Sequence, residues 1–541
     1  MKNPVNLRGG LFQWLALSFL VLSLLVAVGV RIRLLDFPLE RDEGCFAYVG
    51  QLILEGVPPY QNVSDFKMPG LYLAYAAIMS VFGQTPAGIH LGLLLVNLAT
   101  LAVLFMLARK FLDLQGAIIA TAAYALMTLS PSLLGLAAHA THFVMLPALL
   151  GTWLLFRIVN RGLFVCFASG CFFGVAFLMK QPGLFFGIFG GLYLAWISFA
   201  GNITRPQVLA RLGFYSLGCL LPFLAVCLWL KIAGVFPQFW FWTITYPREY
   251  ADVVPFNYGL HILNLSFTKI FLAAPLLWII AGLGLVSLCF KRQTMDTRIF
   301  MAGFLVFSFG AVCPGLYFRP HYFIVLLPAI ALLGGLFVMW SSRWLAEKKG
   351  PPPLRHLPFM LAAAACLQSL YSDRAVFFSL SPKDACRAVY LSNPFPEAVD
   401  IAHYLEQNTS KDQLIAVVGS EPEIYFYAHR RASTSFVYTY PLVEANPYAV
   451  KMQEDMIHDI EANPPEYLVF VLMRTSWLEA PGSSHLLEDW VKNYVTKNMQ
   501  PVGVIKITGP QTTETVWGTP ATVTSVPPPY SIVVFKRLAA R

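Results

Sequence analysis

Charged residues that could do chemistry are few in this chain, and the densest group follows its first apolar run. Arg41, Asp42 and Glu43 are consecutive, and Lys67 lies in a second polar step, DFKMPG, at 65–70. A carboxylate beside a lysine can act as a general base next to a cation that binds phosphate. An ordinary solvated ion pair of Arg41 with Asp42 or Glu43 is the alternative interpretation, and the residues alone leave both open.

Three further polar groups interrupt apolar sequence. They contain His139 and His142, then Lys180 and Gln181, and finally Arg319, His321 and Tyr322. Histidines three residues apart share a helical face, but two imidazoles make a weak metal site, so hydrogen-bonded interfacial histidines are the simpler interpretation. A lysine at a helix end usually extends to the membrane surface.

Composition defines the setting of these residues. The chain has 541 residues, of which 57% are hydrophobic and 12% charged, and its mean hydropathy is +0.61. Soluble proteins carry about 25% charged residues. A soluble globular enzyme and a disordered or fibrous chain are therefore excluded, and a polytopic α-helical membrane protein is predicted. Its net charge of +9 fits basic cytoplasmic loops better than a nucleic-acid partner.

About eleven spans are predicted, together with interfacial helices at 46–54 and 71–82. The spans are the apolar runs 11–30, 89–107, 117–129, 142–156, 163–179, 184–200, 212–230, 270–290, 299–312, 322–340 and 356–370. Each is near the ~20 residues that cross a bilayer, and the shorter runs are less secure.

Basic residues on alternate loops set the predicted orientation. They share the side of the N-terminus and include Arg109, Lys110, Arg205, Arg211, Arg343 and Lys348. The positive-inside rule makes that side cytoplasmic. An odd number of spans then places everything after residue 370 outside. Against this bias, the cations Arg41, Lys67, Lys180 and Arg319 all fall on the outer side, where together they suggest an anionic ligand such as a lipid-linked phosphate.

The predicted outer face has three parts: a first loop at 31–83, an aromatic loop at 236–261, and a domain at 371–541 with soluble composition. Within that domain, runs typical of helices and strands alternate, which predicts a small α/β domain. Residues 1–370 form the predicted transmembrane domain. Cys45 and Cys386 are the two cysteines expected to face an oxidising compartment, and the sequence leaves their pairing undecided.

The order and sidedness of these motifs resemble the C-type (GT-C) membrane glycosyltransferases that use polyprenyl-phosphate sugars. The nearest likeness is to bacterial dolichyl-phosphate-mannose-protein mannosyltransferase-like proteins, which include aminoarabinose transferases and rhizobial core transferases. The resemblance covers the whole chain in architecture. The motifs that carry it are 41–44, 65–70, 136–147, 180–183, 319–322 and 417–425.

The resemblance implies a GT-C fold, and it implies a role for each matching residue. Asp42 becomes the catalytic base, with Glu43 in support, and Lys67 binds the donor phosphate. The remaining outer polar residues follow from position: Arg319 and Lys180 join the phosphate site, and the expected substrate contacts are Arg41, His139, His142, Gln181, His321 and Tyr322. Relatives often carry Asn-Ala-Glu at 139–141, where this chain has His-Ala-Thr, so an acidic residue is missing there.

The implied function is inverting transfer of a sugar from a polyprenyl-phosphate donor. The acceptor is an envelope glycan, lipid or protein at the outer face of a bacterial cytoplasmic membrane. Membrane lipids are expected partners and nucleic acid is not. No cofactor is assigned, and a divalent cation stays open. The alternative is a transporter or flippase of a lipid-linked sugar, which predicts ionisable residues deep in the spans rather than at one surface.

Overall fold

The structure is a computed structural model that describes residues 7–201, 203–290, 293–348, 351–509, 512–518 and 530–539. Its first part is helical. The helices are α1 (Leu7–Arg33), α2 (Arg41–Leu54), α3 (Pro69–Phe82), α4 (Pro86–Phe111), α5 (Leu114–Met127), α6 (Ala140–Leu155), α7 (Ile158–Met179), α8 (Gly183–Ala200), α9 (Arg205–Ile232), α10 (Phe236–Trp240), α11 (Tyr246–Asp252), α12 (Phe256–Ala273), α13 (Pro275–Ser287), α14 (Met295–Gly310), α15 (Leu327–Glu347) and α16 (Leu357–Ser372).

The remaining part alternates helices and strands. Its elements are α17 (Pro382–Tyr390), α18 (Phe395–Asn408), β1 (Ile415–Val418), α19 (Glu423–Ala428), α20 (Tyr440–Val443), α21 (Ala449–Ala462), β2 (Tyr467–Leu472), α22 (Arg474–Trp477), α23 (Leu486–Asn498), β3 (Met499–Ile507), β4 (Thr513–Trp517) and β5 (Ser531–Arg537). The predicted α/β character of this segment is confirmed.

Most residues of each of the eleven predicted apolar runs lie in helices. In the part of the chain that the structure describes, six helices are long and apolar enough to cross a membrane, or seven if a bent pair counts as one span. The helices α3, α5 and α6 are apolar but shorter. Helix α9 shows the membrane character directly, because Leu209, Leu220 and Leu228 are more than half exposed along it. Such a surface suits a hydrocarbon solvent.

One predicted span is broken in the structure. The run 270–290 is not a single helix, because α12 ends at Ala273 and α13 begins at Pro275, and the two axes differ by 105°. Proline lacks an N–H and disfavours helical geometry in the residue before it. Ala274 accordingly leaves the helical region, with φ −144° and ψ 54°. Helix α12 itself had been assigned partly to the outer loop 236–261.

The described chain divides into two compact units, each built from separate segments. The first unit contains residues up to 34, 90–226 and 254–379. At its centre α5 packs on α15 and α15 on α13. Gly116 and Gly335 allow the first of these contacts, since a Cβ on Gly116 would lie 2.6 Å from the Gly335 carbonyl oxygen. Small residues at a crossing let helix backbones approach closely in a membrane.

The second unit contains residues 35–89, 227–253 and 380 onward. Its sheet has the order β1-β2-β5-β3-β4, with β1 and β2 parallel and the other pairs antiparallel. The two loops predicted to be outer, 31–83 and 236–261, thus contribute most of their length to the unit that contains the C-terminal sheet. The division into a transmembrane domain at 1–370 and an outer domain at 371–541 stays a prediction.

Candidate active site

The first turn of α2 positions the predicted catalytic carboxylates of the second unit. Glu40 precedes the helix, and its side chain accepts a hydrogen bond from the Glu43 backbone N–H at 3.0 Å. The Glu43 carboxylate accepts from the Glu40 N–H at 3.3 Å. This reciprocal arrangement is a capping box, which satisfies two N–H groups that the helix leaves unpaired. Glu43 is completely buried and stabilises this turn, and its supporting role for Asp42 stays a prediction.

Asp42 and Lys67 are brought together as an ion pair. The Lys67 ammonium lies 3.3 Å from an Asp42 carboxylate oxygen, and their side chains are 11% and 15% exposed. The ammonium also lies 4.6 Å from the Phe66 ring centroid and 5.2 Å from that of Phe46. Aromatic faces attract a cation. The pair is therefore partly shielded but still reachable from outside.

Contacts within the segment 60–68 fix the backbone of Lys67. The Tyr60 hydroxyl donates to the Lys67 carbonyl at 2.7 Å, and α3 begins two residues later with a proline in its first turn. Asp65 is buried and accepts hydrogen bonds from the Tyr72 hydroxyl at 2.7 Å and the Cys45 thiol at 3.6 Å. Asp65 therefore has a structural role.

The two cysteines whose pairing the sequence left undecided, Cys45 and Cys386, are both free, buried thiols.

Arg41, predicted to bind substrate, is engaged by the C-terminal part of the same unit. Its guanidinium donates to the Ser420 carbonyl at 3.0 Å and to Asn393 Oδ1 at 3.0 Å, and it lies 3.4 Å from Glu421 Oε1. Two aromatic rings flank it at 5.1 and 5.2 Å, those of Phe395 and Tyr440. With its side chain only 13% exposed, Arg41 fastens the start of α2 to the loop after β1.

Two buried glutamates at this junction, Glu421 and Glu423, lie in the motif 417–425 that carries part of the resemblance, but the sequence analysis gave neither of them a role. Glu421 accepts from the Ser476 hydroxyl at 2.7 Å and from the Ser420 N–H at 2.8 Å. Glu423 is completely buried, and within the described residues its carboxylate oxygens have no hydrogen-bond partner. Two acids directly after a buried strand were the signal that could have identified them.

The environment of these acids changes their titration. Burial raises the pKa of Glu423 well above its ordinary value, and the nearby charge of Glu421 raises it further. Burial also raises the pKa of Glu421, although the charge of Arg41 opposes the rise. Burial and the charges of Asp42 and Glu43 raise the pKa of Glu40. A buried carboxyl group without a cation of its own is favoured in its neutral form.

The first unit contains the other predicted site residues, and its histidines have different partners. His139 directly precedes α6, and its ring stacks on that of His321 with centroids 4.0 Å apart and planes at 11°. His142 Nδ1 instead lies 3.2 Å from Asn97 Oδ1. The two histidines therefore contact different segments: His142 has a polar partner, as a hydrogen-bonded histidine would, and His139 lies against His321.

Lys180 and Tyr322 also meet within the first unit. The Lys180 ammonium lies 3.8 Å from the Tyr322 ring centroid, which is a cation–π contact. The Tyr322 ring meets His321 edge-on at 4.8 Å. Gln181 is half-buried in the turn after Lys180. The turn between α7 and α8 and the segment that opens α15 therefore form one polar cluster.

Arg319 lies at the start of that segment. It has extended backbone geometry before Pro320, and its guanidinium lies 5.7 Å from the Tyr317 ring centroid. Its side chain is half-buried. A phosphate role for Arg319 or Lys180 stays a prediction.

A metal ion would need oxygen or nitrogen ligands gathered in one place. The stacked His139 and His321 offer imidazole nitrogens, which suit several transition metals. Ligand atoms of Glu479, His485 and Glu488 lie within 4.8 Å of one another. Two of these three residues are exposed, and an exposed cluster is adequately explained as solvated ion pairing. A divalent cation stays open.

Comparisons with known proteins agree with this architecture. Residues 67–229 match the family model of dolichyl-phosphate-mannose-protein mannosyltransferases. The matched segment begins at Lys67 and includes His139 and Lys180. No curated protein matches the chain.

Three solved structures are similar over most of their length. ArnT from Cupriavidus metallidurans bound to undecaprenyl phosphate has a TM-score of 0.58 at 15% identity, covering 97% of this chain and 98% of ArnT. Its apo form gives 0.56 at 14%, covering 96% and 98%. The archaeal oligosaccharyltransferase AglB from Archaeoglobus fulgidus, in complex with an inhibitory peptide and a dolichol-phosphate, gives 0.50 at 12%, covering 95% and 75%.

The resemblance inferred from the sequence is therefore confirmed at the level of fold. The chain has the GT-C fold of multi-pass membrane glycosyltransferases, with apolar helices and a small C-terminal sheet.

Proposed function

We propose that this chain of GT-C fold is an inverting glycosyltransferase that moves a sugar from a polyprenyl-phosphate donor. The acceptor is an envelope glycan, lipid or protein at the outer face of the cytoplasmic membrane. The observation that carries the proposal is the ion pair between Asp42 and Lys67, at 3.3 Å. It places a proton acceptor beside a cation suited to phosphate. The match of residues 67–229 to a mannosyltransferase family supports the reaction class.

Each residue of the pair has one task. Asp42 takes the proton of an acceptor hydroxyl as its oxygen forms a bond to the anomeric carbon. The bond from that carbon to the phosphate oxygen breaks with inversion, and polyprenyl phosphate leaves. Lys67 stabilises the negative charge on the phosphate. A charge-assisted contact of this type is strong where water is partly excluded.

The ion pair has to open during this reaction. The attacking oxygen lies about 3–3.5 Å from its target carbon in a reactive complex. A base contacts that oxygen at about 2.6–3.2 Å. The phosphate leaves on the far side of the carbon, so Asp42 and Lys67 would hold opposite ends of the reacting centre. Their present separation of 3.3 Å is too short for this. Donor phosphate is expected to draw Lys67 away and expose Asp42 to the acceptor.

The test is turnover of purified protein in detergent, where no membrane compartments exist. The donors are synthetic undecaprenyl phosphates that carry different radiolabelled sugars, and the acceptor is a washed envelope fraction. Release of free polyprenyl phosphate and transfer of label are both measured. A glycosyltransferase produces both. A flippase or transporter produces neither, and that result for the wild type would overturn the proposal.

A further inference from the structure

A polar cleft of about 750 Å³ lies in the second unit. Its volume is within the range of about 300–1,000 Å³ usual for small-molecule sites. Tyr48, Gln51 and Leu52 of α2 line one side, and Gln84 comes from the turn before α4. His429 and the two arginines that follow line the other side.

Hydrogen bonds inside the cleft fix the orientation of two side-chain amides, Gln51 and Gln84, and of the His429 ring. The Gln51 amide nitrogen donates to Gln84 Oε1 at 2.9 Å and lies 2.6 Å from His429 Nδ1. Because Nδ1 accepts, the ring carries its N–H on Nε2. The Gln51 carbonyl, the Gln84 amide nitrogen and that N–H have no partner within the described residues. Gln51 is only 4% exposed, so these neutral donors and acceptors belong to a built site.

The charges around the cleft cancel. Three acids and three cations line it: Glu55, Glu406 and Asp412, and Lys411, Arg430 and Arg431. Arg431 pairs with Glu55 at 2.9 Å. The Arg430 guanidinium donates to backbone carbonyls, including those of Ala428 and Glu406. Little cationic charge is therefore left to attract a phosphate.

The cleft is separate from the predicted catalytic carboxylate. Tyr48, Gln51, Leu52 and Glu55 occupy i, i+3, i+4 and i+7 positions, which share one face of α2. Asp42 precedes Gln51 by nine residues, which is about 13.5 Å along a helix and about half a turn around it. A ligand in the cleft thus contacts α2 on the face opposite Asp42.

We propose that this cleft binds a neutral saccharide. Sugar hydroxyls both donate and accept, which matches neutral amide and imidazole groups in a site of balanced charge. Its proposed occupant is a part of a glycan chain remote from the reacting hydroxyl. That link to the acceptor rests on the proposed function, whereas saccharide binding rests on the cleft alone.

The experiment measures saccharide binding rather than transfer, so its failure is distinguishable from failure of the proposed function. Full-length protein is prepared in a zwitterionic detergent, because maltoside headgroups would compete. Saturation-transfer NMR is recorded with maltotriose, cellotriose and chitotriose, with inorganic phosphate as the anionic comparison. We expect saturable binding of at least one trisaccharide, undisturbed by phosphate.

Variants locate the binding. Gln51→Leu should weaken it at least ten-fold, and so should His429→Phe, at an exposed position with a left-handed φ of 49°, with the melting temperature of each variant as the check on folding. Gln407→Leu, an exposed glutamine outside the cleft, is the matched control, and Asp42→Asn should bind normally. The proposal is overturned if no trisaccharide binds, if His429→Phe binds normally, if phosphate displaces the sugar, or if Asp42→Asn abolishes binding.

Discussion

At the residue scale, the Asp42–Lys67 pair unites two residues that are 25 positions apart in sequence. The residue types left these roles open beside an ordinary ion pair, and the resemblance assigned them to Asp42 and Lys67. The structure adds their separation of 3.3 Å and their partial exposure. If Asp42 is the base, as proposed, the pair keeps its carboxylate bound to a cation until the donor arrives. While Lys67 contacts Asp42, the carboxylate is engaged, and donor binding would release it.

Asp42→Asn tests the base. Loss of a general base typically lowers a rate by about 10²–10⁴-fold, so transfer should fall by this factor while the donor still binds. Initial rates of label transfer and binding of a fluorescent donor provide the two measurements. Asp36→Asn, at an exposed acid nearby, should keep full activity. Near-normal transfer by Asp42→Asn would make Asp42 a structural ion-pair partner only.

Lys67→Ala tests the phosphate contact. If Lys67 grips the ground-state donor, its removal should raise the apparent donor KM about ten-fold or more, since ~1.4 kcal/mol corresponds to a factor of ten. Lys383→Ala removes an exposed lysine that pairs with Asp400 and should leave KM unchanged. An unaltered KM in Lys67→Ala would move the phosphate site elsewhere, with Lys180 as the next candidate.

Arg319→Ala separates binding from catalysis. A cation that meets charge developing on the leaving oxygen lowers kcat when it is removed, whereas a ground-state contact raises KM. We expect a lower kcat, measured from donor saturation curves. Equal kcat and KM in variant and wild type would assign Arg319 to the structure around Tyr317.

At the element scale, α2 works as a positioned unit rather than a mobile loop. Its capping box, its Arg41 contacts and the close packing of Gly44 against Glu423 fix its first turn. A Cβ on Gly44 would lie 2.5 Å from the Glu423 Cβ. The placement of Asp42 therefore depends on the C-terminal part of the same unit.

Arg41→Lys tests positioning against substrate binding. Lysine keeps the charge but loses the planar fork that reaches Ser420 and Asn393 together. If Arg41 positions α2, kcat should fall while donor and acceptor KM stay close to the wild type. A rise in KM at constant kcat would instead support the original prediction of a substrate contact.

Glu421→Gln and Glu423→Gln form a matched pair for stability. The first change removes the charge that faces Arg41, and loss of a charged hydrogen bond costs about 1–3 kcal/mol. We expect a lower melting temperature in detergent. The second change replaces a carboxyl that burial already favours in neutral form, so it should preserve or raise stability at neutral pH. A strong loss on Glu423→Gln would reveal an ionised, functionally paired Glu423.

Glu423 also predicts the direction of a pH effect. Because its folded pKa is raised above the ordinary 4.5, its stabilising contribution is complete below that value. The contribution is lost as pH rises through the folded pKa. Melting temperature should therefore decline above about pH 4.5 in the wild type and decline less in Glu423→Gln. Equal slopes would contradict the assignment.

Much of this architecture could be predicted from hydropathy. The exceptions are elements whose bounds depend on backbone geometry or on pairing with another strand. Helices α2 and α3 follow from amphipathic and apolar runs, and β1, β2 and β5 from short apolar runs. Helix α12 was missed because its apolar residues merge with α13 across Ala274. Strand β4 was missed because four of its five residues are exposed, so only pairing with β3 reveals it.

At the scale of the whole molecule, each compact unit gathers segments that are far apart in sequence. Hydropathy indicates whether a segment lies in lipid or in water, but not which other segments it contacts. Because the composition changes after residue 370, the sequence-based division was placed there. Contacts instead group 35–89 and 227–253 with the sheet. The Arg41–Glu421 contact joins two of these segments, and no local pattern around either residue predicts it.

The side of the membrane on which the C-terminal segment lies is the prediction for the whole molecule. It depends on whether α16 crosses the membrane. The helix has 16 residues, about 24 Å at 1.5 Å per residue, which is short of a hydrocarbon core of about 30 Å. The 3-10 turn Pro352–His356 and the π-turn Ala375–Ser379 extend it at both ends. Exposed Met360 and Leu367 along it fit a lipid-facing span.

Reporter fusions at Lys348 and Ser410, on either side of α16, measure the outcome. If α16 crosses, a cytoplasmic reporter is active at Lys348 and an extracytoplasmic reporter at Ser410, with a fusion at Arg211 as the cytoplasmic control. Activity of the same reporter at both positions would mean that α16 lies along the membrane. The C-terminal segment would then share a side with Lys348, and the odd number of spans would be wrong. If Lys348 is inside, the unit that contains Asp42 and Lys67 would face the cytoplasm. A polyprenyl-phosphate donor would have to be used on that side.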